Sequence, residues 1–138
     1  MVKIKERFTF KKEERVTGTK RIEALFAEGK SFISYPLRVV YLVHEHCELT
    51  GCSILVSVPK KRIKKAAHRN RIKRQIRESF RLSKDLVNDI KVELGEQSLD
   101  IAFVYVKDTE SDYKEILKAI QKALKQIAIR INKIEESE

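Results

Sequence analysis

Apolar residues change their period several times along this chain, and each change marks an element. From Thr17 or Thr19 onward, Ile22, Leu25 and Phe26 recur at the interval of one helical face. Gly29 then suits the left-handed position that follows a helix. The run Leu37 to His44, LRVVYLVH, is β-branched and aromatic, and after the turn-like ELTG comes Ser53 to Val58, SILVSV. The two read as strands of an antiparallel hairpin, which Pro59 ends because it offers no ladder donor. A helix is predicted to start between Ile63 and Ala66 and to persist to about Leu82 or beyond. The segment from Ser83 to Leu99 is ambiguous, since LVNDIKVEL can extend that helix until Gly95 breaks it. Leu99 to Val106, LDIAFVYV, is almost continuously apolar, the pattern of a central strand covered on at least one face. Asp112 and Glu115 stand at capping-box spacing. They open a long amphipathic helix whose apolar side carries Ile116, Leu117, Ile120, Ala123, Leu124, Ile127 and Ile131, so that it lies across the sheet. Residues 1–18 form a charged arm in which Phe8 and Phe10 can pack, and Glu135 to Glu138 read as a frayed tail.

At 138 residues and 42% apolar content the chain fits one domain, 1–138, with a single core. It has no run of 18 apolar residues and no apolar h-region near its start, which argues against export or membrane insertion and places it in the cytoplasm. Its two cysteines, Cys47 and Cys52, agree with a reducing compartment. His44, His46, Cys47 and Cys52 are four zinc-ligand types within nine residues. Structural zinc sites pair their ligands at both ends of a loop, whereas these cross a predicted hairpin on alternating faces. The favoured reading is a polar hairpin with reduced thiols and no metal.

Charge changes the picture more than composition does. Lys60 to Arg81, KKRIKKAAHRNRIKRQIRESFR, contains eleven Lys or Arg and one acid, Glu78, which equals the whole formal charge of +10; the remainder holds nineteen bases and nineteen acids. Such a concentration raises self-repulsion in the folded state, and a polyanion relieves it while releasing counterions. Projected at about 100° per residue, Ile72, Ile76 and Phe80 form one stripe, and Lys73, Arg77, Asn70, Arg81 and Arg74 share an adjoining arc of roughly 100°. Arg69 and Arg71 flank that arc. A solvated face mixes signs, as the C-terminal helix does with Lys114, Glu115, Lys118, Lys122 and Lys125; this face does not. Arg outnumbers Lys five to one between Arg69 and Arg81, which suits bidentate phosphate or base-edge contacts. The preceding loop, with Lys60, Lys61, Arg62, Lys64 and Lys65, suits looser phosphate attraction. Nucleic acid is the expected partner.

Arg69 to Arg81, RNRIKRQIRESFR, preceded by a strand ending SVPKK, closely resembles the signature of the bacterial ribonuclease P protein component. The arm and first helix, FTFKKEERVTGTKRIEALFAEGKS, and LDIAFVYV with its following helix resemble that family as well. The resemblance implies an α/β sandwich of α+β type, in which a small sheet packs with the basic helix and a long C-terminal helix, joined by a left-handed crossover that handedness statistics alone do not predict. It implies assembly with a catalytic RNA that removes the 5′ leader of precursor tRNA, with the hydrolysis and its Mg²⁺ belonging to the RNA and no cofactor bound by the protein. Carried over by position, Arg69, Asn70, Arg71, Lys73, Arg74 and Arg77 would face the catalytic RNA and the substrate junction. A leader cleft between helix and sheet would use Phe26 and one face of the first strand, either Arg38 and Val40 or Leu37, Val39 and Tyr41; bases can stack on aromatics there. Ile22 stands where the family often has an aromatic, and the loop after Pro59 lacks the family's common Gly.

Two other functions fit parts of the pattern. A non-catalytic RNA chaperone or ribosomal-type protein is compatible with the charge alone. A protein-only nuclease is less so: Asp85, Asp89 and Glu93 have helical spacing but no partner motif, and no Gly-rich phosphate loop, G-x-S-x-G or nucleophile–histidine pairing is present. Nothing in the sequence predicts a protein oligomer.

Overall fold

The computed structural model describes residues 16, 18–45 and 51–137, with side chains through residue 132. Phe8, Phe10 and the rest of the arm, Thr17, His46, Cys47 and Glu138 lie outside the described residues. The elements in order are α1 (Thr19–Glu28), β1 (Lys30–Ser34), β2 (Leu37–His44), β3 (Gly51–Ser57), α2 (Ala66–Leu82), α3 (Lys84–Leu94), β4 (Ser98–Tyr105) and α4 (Tyr113–Ser137). They form an α+β fold around one mixed sheet of order β1-β2-β4-β3, with β3 parallel to β4 and the other pairings antiparallel.

The expected hairpin of β2 with β3 does not form, because β4 runs between them. Burial explains the difference. Leu99, Ile101, Phe103 and Tyr105 on one face of β4 and Asp100 and Ala102 on the other are all fully buried. Only the centre of a sheet covers both faces of a strand. β2 and β3 each carry polar residues on one face (Arg38; Ser53 and Ser57), so they flank β4 instead. The parallel pair β3–β4 is joined through α2 and α3, the crossover such pairing requires.

One sheet face meets α2, α3 and α4. There Leu37, Val39, Tyr41, Cys52, Ile54, Leu99, Ile101 and Phe103 enclose a core with Ile72, Ile76, Phe80, Val87, Ile90 and the apolar side of α4. The other face is covered by α1, where Leu25, Val40, Ala102 and Val16 form a smaller core. β1, too short and too polar to stand out in the sequence, is an edge strand whose Phe32 meets Tyr41 edge-on at 6.1 Å.

Three local details differ from expectation. Gly29 is extended (φ −69°) rather than left-handed. Its lack of a side chain is required by a close approach: a Cβ there would press on the Leu25 carbonyl and lie 2.9 Å from Val40 Cγ1. The ambiguous segment is a separate helix. Ser83 ends α2 by turning its hydroxyl to the Ser79 carbonyl at 2.7 Å while its own carbonyl starts α3 through Val87, a Ser side chain competing with the helical ladder. The last helix also continues through Ser137 instead of fraying at Glu135. At its other end Asp112 accepts the Glu115 N–H at 2.8 Å. The reciprocal half of the capping box is replaced, because the Glu115 carboxylate accepts from Lys107 instead.

Candidate nucleic-acid interface

The basic helix forms as the pattern predicts. Ile72, Ile76 and Phe80 are fully buried against the sheet, which turns the opposite side of α2 outward. Asn70, Arg74 and Arg77 are exposed and Lys73 is half-buried; the loop residues Lys60, Lys61, Lys64 and Lys65 are exposed. Among the described residues none of these makes an ion pair. Eight donors of one sign or neutrality therefore lie along one loop and helix surface.

The other motif residues have intramolecular duties. Arg69 donates through Nη1 to the carbonyls of Ile63 at 3.0 Å and Lys64 at 2.6 Å, so it ties the lysine loop to the first turn of α2. Arg62 pairs with Asp108 at 3.1 Å, and Glu110 receives Arg71 at 3.4 Å with His68 beside it at 3.5 Å. Arg81 is paired with Glu78 one turn back, and that bond raises its pKa further. These pairs subtract charge from the ends of the arc and leave Lys73, Arg74 and Arg77 as its unpaired centre.

The alternation left open for the strand from Leu37 to His44, β2 in the fold, is decided by burial. Leu37, Val39 and Tyr41 point into the core beneath the three helices, so Tyr41, a candidate for the leader cleft, is placed on the wrong face and only 3% exposed. Its ring fills the space between Phe32 and the core. Arg38 and Val40 lie on the face of α1. Val40 is itself 2% exposed and packed with Leu25, which leaves Arg38 as the accessible member of that pair. Beyond α1 a row of one residue per strand crosses the sheet, Ile33, Arg38, Val104 and Ser57, none of them fully buried. Phe26 is 43% exposed on α1, and this takes it out of the core. The floor of the sheet and the open ring of Phe26 thus share one side of the molecule, while α2 packs on the other.

One functional feature has no expectation behind it. Asp100, fully buried in the centre of β4, accepts two hydrogen bonds from Arg21 on α1, from Nε at 2.8 Å and Nη2 at 2.5 Å, and has His44 Nε2 at 3.0 Å. The carboxylate thereby anchors α1 to the sheet, and α1 carries Phe26. The only signal in the sequence is one acid inside LDIAFVYV, where burial demands a partner. At the opposite end of β4 the Tyr105 hydroxyl donates to the Thr109 carbonyl at 2.5 Å and meets Ser111 Oγ at 2.8 Å; burial pushes this phenol above its ordinary value. Hydrogen bonds from Ser111 and then Lys107 hold Glu115 below the usual carboxylate range. The network fixes the loop that brings Asp108 to Arg62 in the lysine loop and Glu110 to α2.

The family profile described as Ribonuclease P matches residues 10–128. A Porphyromonas gingivalis protein named ribonuclease P protein component is 43% identical over 123 residues, 88% of each chain. A Clostridium botulinum protein of the same name is 33% identical over 119 residues, 86% of this chain and 97% of the other. Among solved structures, the RNase P protein from Thermotoga maritima superposes with a TM-score of 0.65 at 24% identity, covering 83% of this chain and 97% of that one. An RNase P protein from Staphylococcus aureus gives 0.60 at 24% identity, covering 82% and 94%. These two support the fold.

Proposed function

This chain belongs to the ribonuclease P protein family, and from that premise we propose that it is the protein subunit of a ribonucleoprotein endoribonuclease, binding a catalytic RNA and the 5′ leader of precursor tRNA. The observation that carries the reading is the single-signed surface of α2, where Asn70, Lys73, Arg74 and Arg77 stand without an ion-pair partner among the described residues beside the exposed lysine loop. In this reading α2 and its loop hold the catalytic RNA through phosphate contacts, and the sheet face beside α1 takes the leader, with Phe26 offering a stacking surface and Arg38 a charge. The hydrolysis is assigned to the RNA and its Mg²⁺. Consistent with that division, the acids on and beside the basic helix and its loop serve as partners for cations: Glu78 for Arg81, Asp108 for Arg62 and Glu110 for Arg71. What the chain contributes is position, by neutralising phosphates at the junction and holding the leader in line.

The test is precursor-tRNA cleavage at low Mg²⁺ by purified protein alone, by the cognate catalytic RNA alone, and by both. Cleavage should be absent with protein alone and greatest with both. Metal-dependent cleavage by RNA-free protein, or no gain from adding protein to RNA, would overturn the assignment.

A further inference from the structure

The C-terminal helix reads in the sequence as an ordinary solvated face, and the fold shows that it is not one. Lys114, Lys118, Lys122 and Lys125 fall within about 80° of arc on α4 when projected at 100° per residue, and all four are exposed. None has an ion-pair partner among the described residues. The one acid between Tyr113 and Asn132, Glu115, is taken by Lys107 at 2.9 Å. Like charges at i, i+4 destabilise the helix that carries them, so the stripe is a cost unless something anionic lies against it.

The stripe borders an exposed aromatic. Tyr35, at the turn between β1 and β2, is 60% exposed. It stands between two hollows: one of about 400 Å³ lined with Lys114, Lys118, Lys122 and the Lys107-paired Glu115, and one of about 560 Å³ lined with Lys122, Lys125 and Arg130. Ile33 and Ile129, 61% and 51% exposed, supply apolar surface at the second hollow. The turn is held in place from below, because Ser34 donates to the Ala119 carbonyl of α4 at 2.8 Å. Arg130 lies 4.7 Å over the Phe32 ring, so part of the hollow is already ordered. Cations that track a backbone, next to an exposed aromatic on an anchored turn, are what single-stranded nucleic acid recognises. A protein partner fits less well, since interface centres are depleted of lysine.

We propose that the exposed face of α4, together with Tyr35, is a further RNA-binding surface, distinct from α2 and from the sheet face beside α1, taking a single-stranded segment whose phosphates run along the four lysines and one of whose bases stacks on Tyr35. It lies at the β1 edge of the sheet, across three strand spacings, about 14 Å, from the β3 edge that leads into the lysine loop before α2. It is therefore a separate contact, one that lets the protein hold a stretch of RNA besides those at α2 and at the sheet face beside α1. The inference rests on the reading of the chain as an RNA-binding subunit.

The experiment measures binding of the full-length protein to the cognate catalytic RNA and to oligouridylate across a salt series. Changing Lys114, Lys118, Lys122 and Lys125 together to Gln should make the plot of log K against log[salt] shallower by about 3, at roughly 0.7 per phosphate on a single strand. The same four positions changed to Arg should keep the slope. Tyr35→Ala should weaken binding about five-fold or more, Tyr35→Phe should not, and a photoreactive phenylalanine at position 35 should cross-link to RNA. Because these side chains are exposed, melting temperatures should stay near that of the parent. Arg74→Gln with Arg77→Gln serves as the comparison: if that pair lowers the slope while the four Gln changes and Tyr35→Ala do nothing, the second surface is refuted and the first stands. If neither set alters the slope, neither α2 nor α4 is where this chain holds RNA, and both the α4 assignment and the reading it rests on are refuted.

Discussion

Removing the charge at Asp100 is the sharpest test of how α1 is held. The carboxylate is fully buried, and its described partners are Arg21 and His44, whose side chains are 23% and 30% exposed. Breaking a buried ion pair by deleting one member costs about 3–5 kcal/mol, because the other is left without compensation. Arg21 keeps some access to water, which places Arg21→Met and Asp100→Asn near the lower end, about 3 kcal/mol each. In the double variant Arg21→Met with Asp100→Leu no unpaired charge remains inside. Its cost should fall short of the sum of Arg21→Met and Asp100→Leu by at least about 1 kcal/mol, as expected for directly coupled residues. Urea unfolding with a common m-value measures the parent and the four variants. The functional consequence is directional: Asp100→Asn should weaken binding of precursor tRNA to the assembled particle more than it weakens assembly, since α1 carries Phe26 whereas α2 is on the other face. Additivity within about 0.5 kcal/mol, or a loss below 1 kcal/mol for Asp100→Asn, would show that α1 is held by its apolar contacts alone.

Phe26→Ala should leave stability within about 1.5 kcal/mol of the parent, because the ring is 43% exposed, while precursor-tRNA binding by the particle weakens by about 1–3 kcal/mol and mature-tRNA binding is unchanged; equal losses for both RNAs would remove Phe26 from the cleft. Gly29→Ala should cost about 2 kcal/mol or more in urea unfolding, as the added Cβ meets the Leu25 carbonyl and Val40, and a neutral result would mean that α1 can shift freely on the sheet. The alkaline limb of stability should depend on Tyr105. Its phenol is raised above 10.0 by burial, so the protonated form is favoured by the fold; its contribution is complete below about pH 10 and is lost as pH rises through the folded value. Tyr105→Phe should lower stability by about 1 kcal/mol at neutral pH, where the bond to Thr109 is lost, and should flatten the decline above pH 10; an identical alkaline decline would assign it to other groups.

The sequence by itself determined the elements whose periodicity is long and one-sided. The basic helix, the long C-terminal helix and the buried strand LDIAFVYV stand where their patterns put them, since a 3.6-residue or continuous apolar repeat leaves few alternatives. It also determined the cationic character of α2, because spacing on a helix fixes which side chains share a face, and the family, because RNRIKRQIR is a specific string. Tertiary structure decided everything that depends on which segments become neighbours. β4 enters between β2 and β3 because a strand apolar on both sides needs cover on both sides, a competition among strands that no single run reveals. That choice sets the face of β2 turned to α1, and so separates Arg38, which is accessible, from Tyr41, which is core. It also places a lone acid of β4 opposite Arg21, 79 residues away in sequence. Lys114, Lys118, Lys122 and Lys125 share a helical face with one acid among them along the chain; tertiary structure sets Tyr35 beside that face and turns Glu115 to Lys107. Charge in a sequence is a sum, whereas charge on a surface is what remains after packing has paired the rest.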